Sequence, residues 1–416
     1  MGGAVLPLTI TCAKAEPRNM NTSADRAEEF HDDIIYPATI PFLLVHAACF
    51  AAIWTGVTPR ALLVCVALYV LRMIAVTAGY HRYFSHRSFR TSRVGQFILA
   101  VLCQTSAQRG VIWWAAKHRH HHRHSDTEND VHSPRHRGFF YSHVGWIFSP
   151  KHGDTDYSVV TDLTQYPELV WIDKHQHVSA FTLAVLVFAL GGWPLLIVGF
   201  FWSTVLLYHG SFMINSLAHV HGRQRYVTGD DSRNNWLLAF FTMGEGWHNN
   251  HHAYQRSTRQ GFRWWEIDVT FYVLKVLSWF RIVWDLGEPP ADVIRNEHKL
   301  GRATIEKVAH QLAASFPADR IALQLREALH RLPQLPQLPE LSELRARLNA
   351  AKTSAAAQLA DLHLPHVPSL DDVRQRARDM FSSTPSLDDI AERARQLLLQ
   401  AVALHLFAAL DGAPAT

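Results

Sequence analysis

Two adjoining runs decide the fold: PFLLVHAACFAAIWTGV at residues 41–57 and ALLVCVALYVLRMIAVTAGY at 61–80. Each is near the length that carries a helix across a bilayer core, about 20 residues. The short link between them makes a hairpin. A second apolar stretch at 178–214 is interrupted by Gly191-Gly192-Trp193-Pro194, so it reads as two further passes over 178–192 and 194–214. A weaker stretch, 94–112, contains Gln104, Gln108 and Arg109 and reads as a helix lying at the interface or buried against protein.

Composition agrees. Hydrophobic residues are 48% of the 416 and charged ones 18%, which excludes an intrinsically disordered chain. A net charge of +4 is too slight for nucleic-acid binding through phosphate neutralisation. Cys12, Cys49, Cys65 and Cys103 have no CxxC spacing and are expected to be reduced thiols. The first fifteen residues lack a basic start and a long apolar core, so no signal peptide is expected. Four passes place the N-terminus, the 81–177 loop and everything after 215 on one side; most Lys and Arg outside the passes lie there, which assigns that side to the cytoplasm.

The expected fold class is therefore an all-α integral membrane protein: four transmembrane helices, a cytoplasmic histidine-rich helical cap and a helical C-terminal extension. Residues 1–36 form an N-terminal cytoplasmic segment and 37–288 the membrane domain. Residues 289–416 form an Ala/Leu/Arg-rich extension, helical or partly disordered, to which no chemistry is assigned. Leu-Pro steps punctuate it at 332–339. The repeat Pro368-Ser-Leu-Asp-Asp-Val and Pro385-Ser-Leu-Asp-Asp-Ile starts an amphipathic helix twice, each with a serine N-cap.

Nineteen of the 27 histidines lie between His81 and His252, in groups with ligand spacing. His118, His121 and His122 stand at offsets 0, 3 and 4, and so do His248, His251 and His252; such offsets share one helical face. Two triplets point to two metals. His81 and His86, five apart, can meet one ion only if their helix ends or distorts between them. Asn215 and His219, four apart, project together from a continuing helix. His120 and His124 are read as solvated or supporting. Imidazole suits Zn, Cu, Fe or Ni, so ligand type leaves the metal open. A ferritin-like carboxylate site would use Glu-x-x-His pairs. Glu245/His248 and Glu327/His330 fit that spacing but leave the triplets without a purpose. Two redox-active ions held by neutral nitrogens beside a membrane point to oxygen chemistry on a lipid, with iron the expected metal. Asp126, Asp130, Asp230 and Asp231 are candidates to orient imidazoles.

From about residue 40 to 288 the chain resembles the membrane fatty acyl-CoA desaturases of the stearoyl-CoA (Δ9) type. The matching motifs are HRYFSHRSF (81–89), the segment Trp114 to Asp126, RGFFYSHVGW (137–146), NSLAHVHG (215–222), DDSRNN (230–235) and GEGWHNNHH (244–252). The resemblance implies a di-iron centre held by His81, His86, His118, His121, His122, His219, His248, His251 and His252, with Asn215 acting through water. It implies an O2-dependent enzyme that introduces a cis double bond, Δ9 by analogy, into a saturated acyl chain, most simply an acyl-CoA. An acyl-lipid (phospholipid) desaturase and a di-iron membrane hydroxylase are the alternatives. A metal transporter is disfavoured because the histidines sit at the ends of the passes. Gln108, Trp114, Ser211, Tyr69 and Met73 are implied to line the acyl tunnel. Where the family usually has Trp-Ala-Arg-Asp-His, this chain reads Trp114-Ala115-Ala116-Lys117-His118. The carrier's phosphates would then fall to Lys117, Arg119, Arg123 and Arg137. The chain holds no His-Pro-Gly-Gly stretch. Electrons are thus expected from a separate protein of cytochrome b5 or ferredoxin type and its reductase.

Overall fold

Thr58 starts the decisive helix: its hydroxyl accepts from Ala61 N at 3.2 Å and Pro59 occupies the first turn, where its missing N–H costs nothing. The structure, a computed structural model, describes residues 39–149, 153–330 and 367–410. The expected N-terminal segment 1–36, Cys12 and the Leu-Pro steps at 332–339 lie outside the described residues.

Helix α1, Ile40–Thr55, ends where Gly56 takes φ +78°, and α2, Pro59–Ser85, runs back beside it. Past Ala75, α2 widens into a π-helix over Val76–Ser85. Gly79 is required there, since a Cβ would fall 2.1 Å from Cys103 Sγ on α3, Arg93–Gln104. Helix α4 is Val111–His124, and Asp173 caps it from another element by accepting from Ile112 N at 2.7 Å. Helix α5, Val178–Pro194, breaks inside at Gly191 and Gly192; Gly192 has φ +64°, and α6 (residues 195–215) returns antiparallel. Ala61, Cys65, Ala180, Val187, Leu195 and Val198 form the inner seam of these helices. Arg72, buried in α2, donates to Thr105 O, Ser203 Oγ and Thr204 Oγ1, joining α2 to α6 and to the end of α3.

Two helices, Pro59–Ser85 and Val178–His219, are long and apolar enough to cross a membrane; α1 is shorter than that limit. The 94–112 stretch is not one helix. Helix α3 stops at Gln104, and Ala107 and Arg109 take positive φ, so Gln108 and Arg109 stand in a loop before α4. Among the described residues, strand is limited to the two-residue antiparallel pair Arg90–Thr91 (β1) with Val283–Trp284 (β2) and isolated bridges.

Helix α7, His248–Ala253, completes the cap. Beyond it, α8 (Arg302–Ala314), α9 (Ala318–His330), α10 (Leu370–Met380) and α11 (Leu387–Leu410) pack on one another. Val308, Leu312, Val373, Ile390 and Ala394 form their own apolar core. Ser369 caps α10 in a reciprocal capping box with Asp372, as its sequence predicts. The Ser386 hydroxyl instead accepts from Leu300 N at 2.9 Å. Described residues of the extension are therefore bundled helices.

Candidate metal centre

The π-helical turn resolves the awkward five-residue step. With His86 N donating to His81 O, i to i+5, the backbone is underwound enough for both imidazoles to face one point. Helix α4 brings its triplet, and α7 brings the other. The structure gathers all nine histidines into two buried or half-buried groups: His81, His86, His118, His122 and His251 in one, His121, His219, His248 and His252 in the other. Each triplet is divided between the groups. His118 and His122 face the first and His121 the second, whereas His251 faces the first and His248 and His252 the second. Helical offsets identify the triplets but not this partition.

Spacing within the first group tests whether a metal fits. His118 Nε2 lies 2.9 Å from both His86 Nε2 and His122 Nε2, and His251 Nε2 lies 2.9 Å from His122 Nε2 and 3.0 Å from His81 Nε2. A ring nitrogen has one in-plane position, a proton or a lone pair, so it cannot hydrogen-bond two such neighbours. Metal bonds of about 2.1 Å at right angles place adjacent nitrogens about 3.0 Å apart. The donor set therefore fits an ion. In the second group His219 Nε2 and His248 Nε2 are 3.0 Å apart, and His252 Nε2 is buried with no hydrogen-bond partner among the described residues.

Carboxylates fix the tautomers. Asp130 accepts from His121 Nδ1 at 3.0 Å, Asp126 from His219 Nδ1 at 2.7 Å and Asp230 from His252 Nδ1 at 2.7 Å, which leaves each Nε2 lone pair for the cluster. Asp231 does not join them. It pairs with Arg135 at 2.6 Å, and its backbone N–H donates to Asp126. Two groups escaped the sequence reading. Glu245 lies 2.5 Å from His81 Nδ1 and pairs with Arg82 at 2.9 Å, and Gln260 reaches both Glu245 and His81. Glu245 was visible only as the start of a Glu-x-x-His pair; Gln260 carried no local signal.

Electrostatics favour the ligating state at several of these histidines, whereas at His219 burial is outweighed by the Asp126 carboxylate, which raises the imidazole to about 9. Burial, and then the surrounding imidazoles, push His86, His118, His122, His248 and His251 well below the ordinary histidine range, so they are neutral as metal binding requires. Burial alone would raise the Glu245 carboxyl, but His81 and Arg82 outweigh it and hold it at about 2. Burial likewise opposes ionisation of Asp126, Asp130 and Asp230, yet their histidine partners keep all three below the usual carboxylate range.

Asn215 and His219 do not extend one helix. Helix α6 ends at Asn215, and His219 sits on the separate 3-10 turn Leu217–His219. Asn215 instead lines a cavity with His81, His118, Trp114, Ser211 and Met73. Gln108 donates to Ser211 Oγ at 2.9 Å, Trp114 stacks on Tyr80 and His118, and Tyr69 donates to Phe241 O at 2.8 Å. Of the expected carrier contacts, Arg119 is committed inside the protein, to Asp162 and to the Phe84, Ser85 and Val159 carbonyls. Lys117 is half-buried, Arg123 is exposed, and Arg137 stacks on Tyr141 at 4.2 Å. His120 turns away from both clusters, to Asn129 O.

Two histidine-only clusters beside a cavity form a site that could hold metal ions. Comparison with known proteins agrees: residues 58–275 match the fatty acid desaturase family model, and the chain belongs to that family. It is 39% identical over 245 residues to the sn-1 stearoyl-lipid 9-desaturase of Anabaena variabilis, covering 58% of this chain and 89% of that one. It is 35% identical to the acyl-CoA 5-desaturase AL21 of Anemone leveillei, covering 59% of this chain and 77% of that one. With the Delta-9 acyl-lipid desaturase 1 of Arabidopsis thaliana it shares 32% identity, covering 68% and 96%. The protein is accordingly an oxygen-dependent oxidoreductase acting on fatty acyl chains.

Proposed function

We propose that the protein holds two iron ions, one in each histidine cluster, and uses O2 and two electrons to introduce a cis double bond at Δ9 of a saturated acyl chain. The observation that carries this is the Nε2 spacing of 2.9–3.0 Å in the first cluster, where His118, His122 and His251 each face two other ring nitrogens and no hydrogen-bonding scheme satisfies them. Nine histidines are more than a closed four-coordinate zinc site needs. When bound, the irons supply the oxidising power that an unactivated C–H bond requires and that no side chain has.

The chain's own residues supply position. Trp114, Ser211, Met73 and Thr77 bound the cavity against His81 and His118, so an acyl chain seated there has its reacting carbons fixed by the walls. Asn215, on the same wall, would hold one of the ions through water. Gln108 donates to Ser211 and so braces that wall of the cavity. Glu245, Asp126, Asp130 and Asp230 engage the Nδ1 atoms of His81, His219, His121 and His252 and so leave each Nε2 turned to its cluster.

Four passes, α1, α2, α5 and α6, would carry the domain across the membrane with the cap in the cytoplasm. Support comes from the outward faces: Leu63 is 71% exposed, Phe181 71% and Leu190 70%, unlike the buried core helices of a soluble protein. An acyl-lipid substrate is the second reading. It is favoured by Arg119 being committed to Asp162 and by the lipid 9-desaturases among the relatives. Electrons would come from a separate cytochrome b5 or ferredoxin and its reductase. Expression in a desaturase-deficient host, with double-bond position and carrier read by mass spectrometry, tests the reading; His121→Ala should yield no unsaturated product. Absence of any new double bond with the intact protein would refute it.

A further inference from the structure

The residues matched to the family end at 275, so α8–α11 lie beyond what the family model describes. Their position is specific. Lys307 and Gln311, one turn apart on α8, share a face. Lys307 Nζ donates to Ser125 O at 3.0 Å, and Gln311 Nε2 donates to Gly229 O at 2.9 Å. Ser125 directly precedes Asp126, which holds His219, and Gly229 directly precedes Asp230, which holds His252. Both of these histidines belong to the four-membered cluster.

The two backbones need outside support. Asp126 sits at φ +57°, a conformation that a non-glycine residue keeps only where its surroundings over-determine it. Gly229 has φ +78°, and a Cβ there would stand 3.0 Å from Lys307 Cβ, so α8 lies directly against the loop. Val227, two residues earlier, is buried in the apolar core of the C-terminal bundle with Val308, Leu312 and Ile390. The loops are also tied to each other, through Asp231 N to Asp126 Oδ2 at 2.8 Å. Ser382 Oγ to Gln224 O and Asn296 Nδ2 to Ser383 O add further seams.

We propose that the C-terminal helical bundle is a buttress for one metal site: Lys307 and Gln311 are positioning residues that fix the loops bearing Asp126 and Asp230, and so keep His219 and His252 aimed at the ion of the four-histidine cluster. In the five-histidine cluster, His81 is held instead by Glu245 and Gln260, with Arg82 on Glu245, and none of these contacts comes from α8. The inference rests on the two-iron reading and adds that the two ions differ in their dependence on the extension.

The full-length protein in detergent, loaded with ferrous iron, is mixed with a ferrous chelator, and iron release is followed by absorbance. Removing partners outside a ligand shell weakens metal affinity by about 10–100-fold, and one step further out about threefold to tenfold is expected. In Lys307→Met/Gln311→Leu, one iron per chain should leave about threefold to tenfold faster while the other leaves at the wild-type rate. Lys307→Arg, which keeps a donor, should restore slow release when Gln311 is intact. Gln311→Leu alone, which leaves the bundle core untouched, repeats the test at Asp230 should the double variant misfold. Equal acceleration of both irons, or no change in either, overturns the proposal. Wild-type protein that holds fewer than two irons overturns the two-iron reading first, and this inference with it.

Discussion

Met73, proposed to line the acyl tunnel, should set how long a chain the cavity takes, and its replacement should lengthen the product. The side chain is 1% exposed on α2 and lines the cavity that also meets His81, His118 and Ser211. Its end rests against the α6 backbone: a Cβ on Gly210 would stand 2.9 Å from Met73 Cε and 3.1 Å from the Tyr69 hydroxyl. Met73→Ala removes three heavy atoms there, room for about two methylenes at roughly 0.8 kcal/mol each. The gain of about 1.6 kcal/mol for a chain two carbons longer corresponds to roughly a tenfold to fifteenfold shift in relative kcat/KM. Left empty, the same space would destabilise the fold by roughly 2–5 kcal/mol. The longer substrate should therefore also stabilise the variant. Gly210→Ala should act in the opposite direction, pressing Met73 into the cavity and shortening the preferred chain. Gas chromatography of fatty acids from a desaturase-deficient host expressing each variant reads the ratio of longer to shorter unsaturated products. An unchanged ratio in both variants at normal expression would refute Met73 as the end of the cavity.

The carboxylate at His219 can be tested by two substitutions. Asp126→Asn keeps the shape and an acceptor for His219 Nδ1 and Asp231 N but removes the charge. It should weaken iron at one site about tenfold, the difference of about 1.4 kcal/mol between a charged and a neutral hydrogen bond. Asp126→Leu leaves both donors buried without a partner and should strip that iron, as metal analysis will show. His120→Ala, a residue of the same histidine run that faces Asn129 O instead, should retain full iron content and activity. Chelating the metal should lower the melting temperature by several degrees in differential scanning fluorimetry, because an ion binds only the folded arrangement of nine rings.

Helical periodicity carried most of the site. The 0, 3, 4 offsets of His118, His121 and His122 and of His248, His251 and His252 survive in α4 and α7, because residues three and four apart meet on a helix whatever surrounds it. The apolar runs of α1, α2, α5 and α6 were legible for the same local reason, down to the Gly191-Gly192 break. Long-range contacts were not. Which imidazole joins which cluster depends on how α4 and α7 face each other, and the support of His81 by Gln260 joins residues far apart in sequence. The end of α6 at Asn215 was hidden because Ser216 to His219 remain compatible with helix by composition. Arg119 read as a surface cation until the fold placed Asp162 2.6 Å away. The extension read only as helical or partly disordered because its apolar stripes gain meaning as a core only when four helices share them.

Metal content tests the central claim most directly. Elemental analysis of the purified, full-length protein should return two irons per chain, falling below one in a variant that lacks His121 and His122. A preparation that is fully folded yet binds no transition metal, or only a single zinc, would contradict the account.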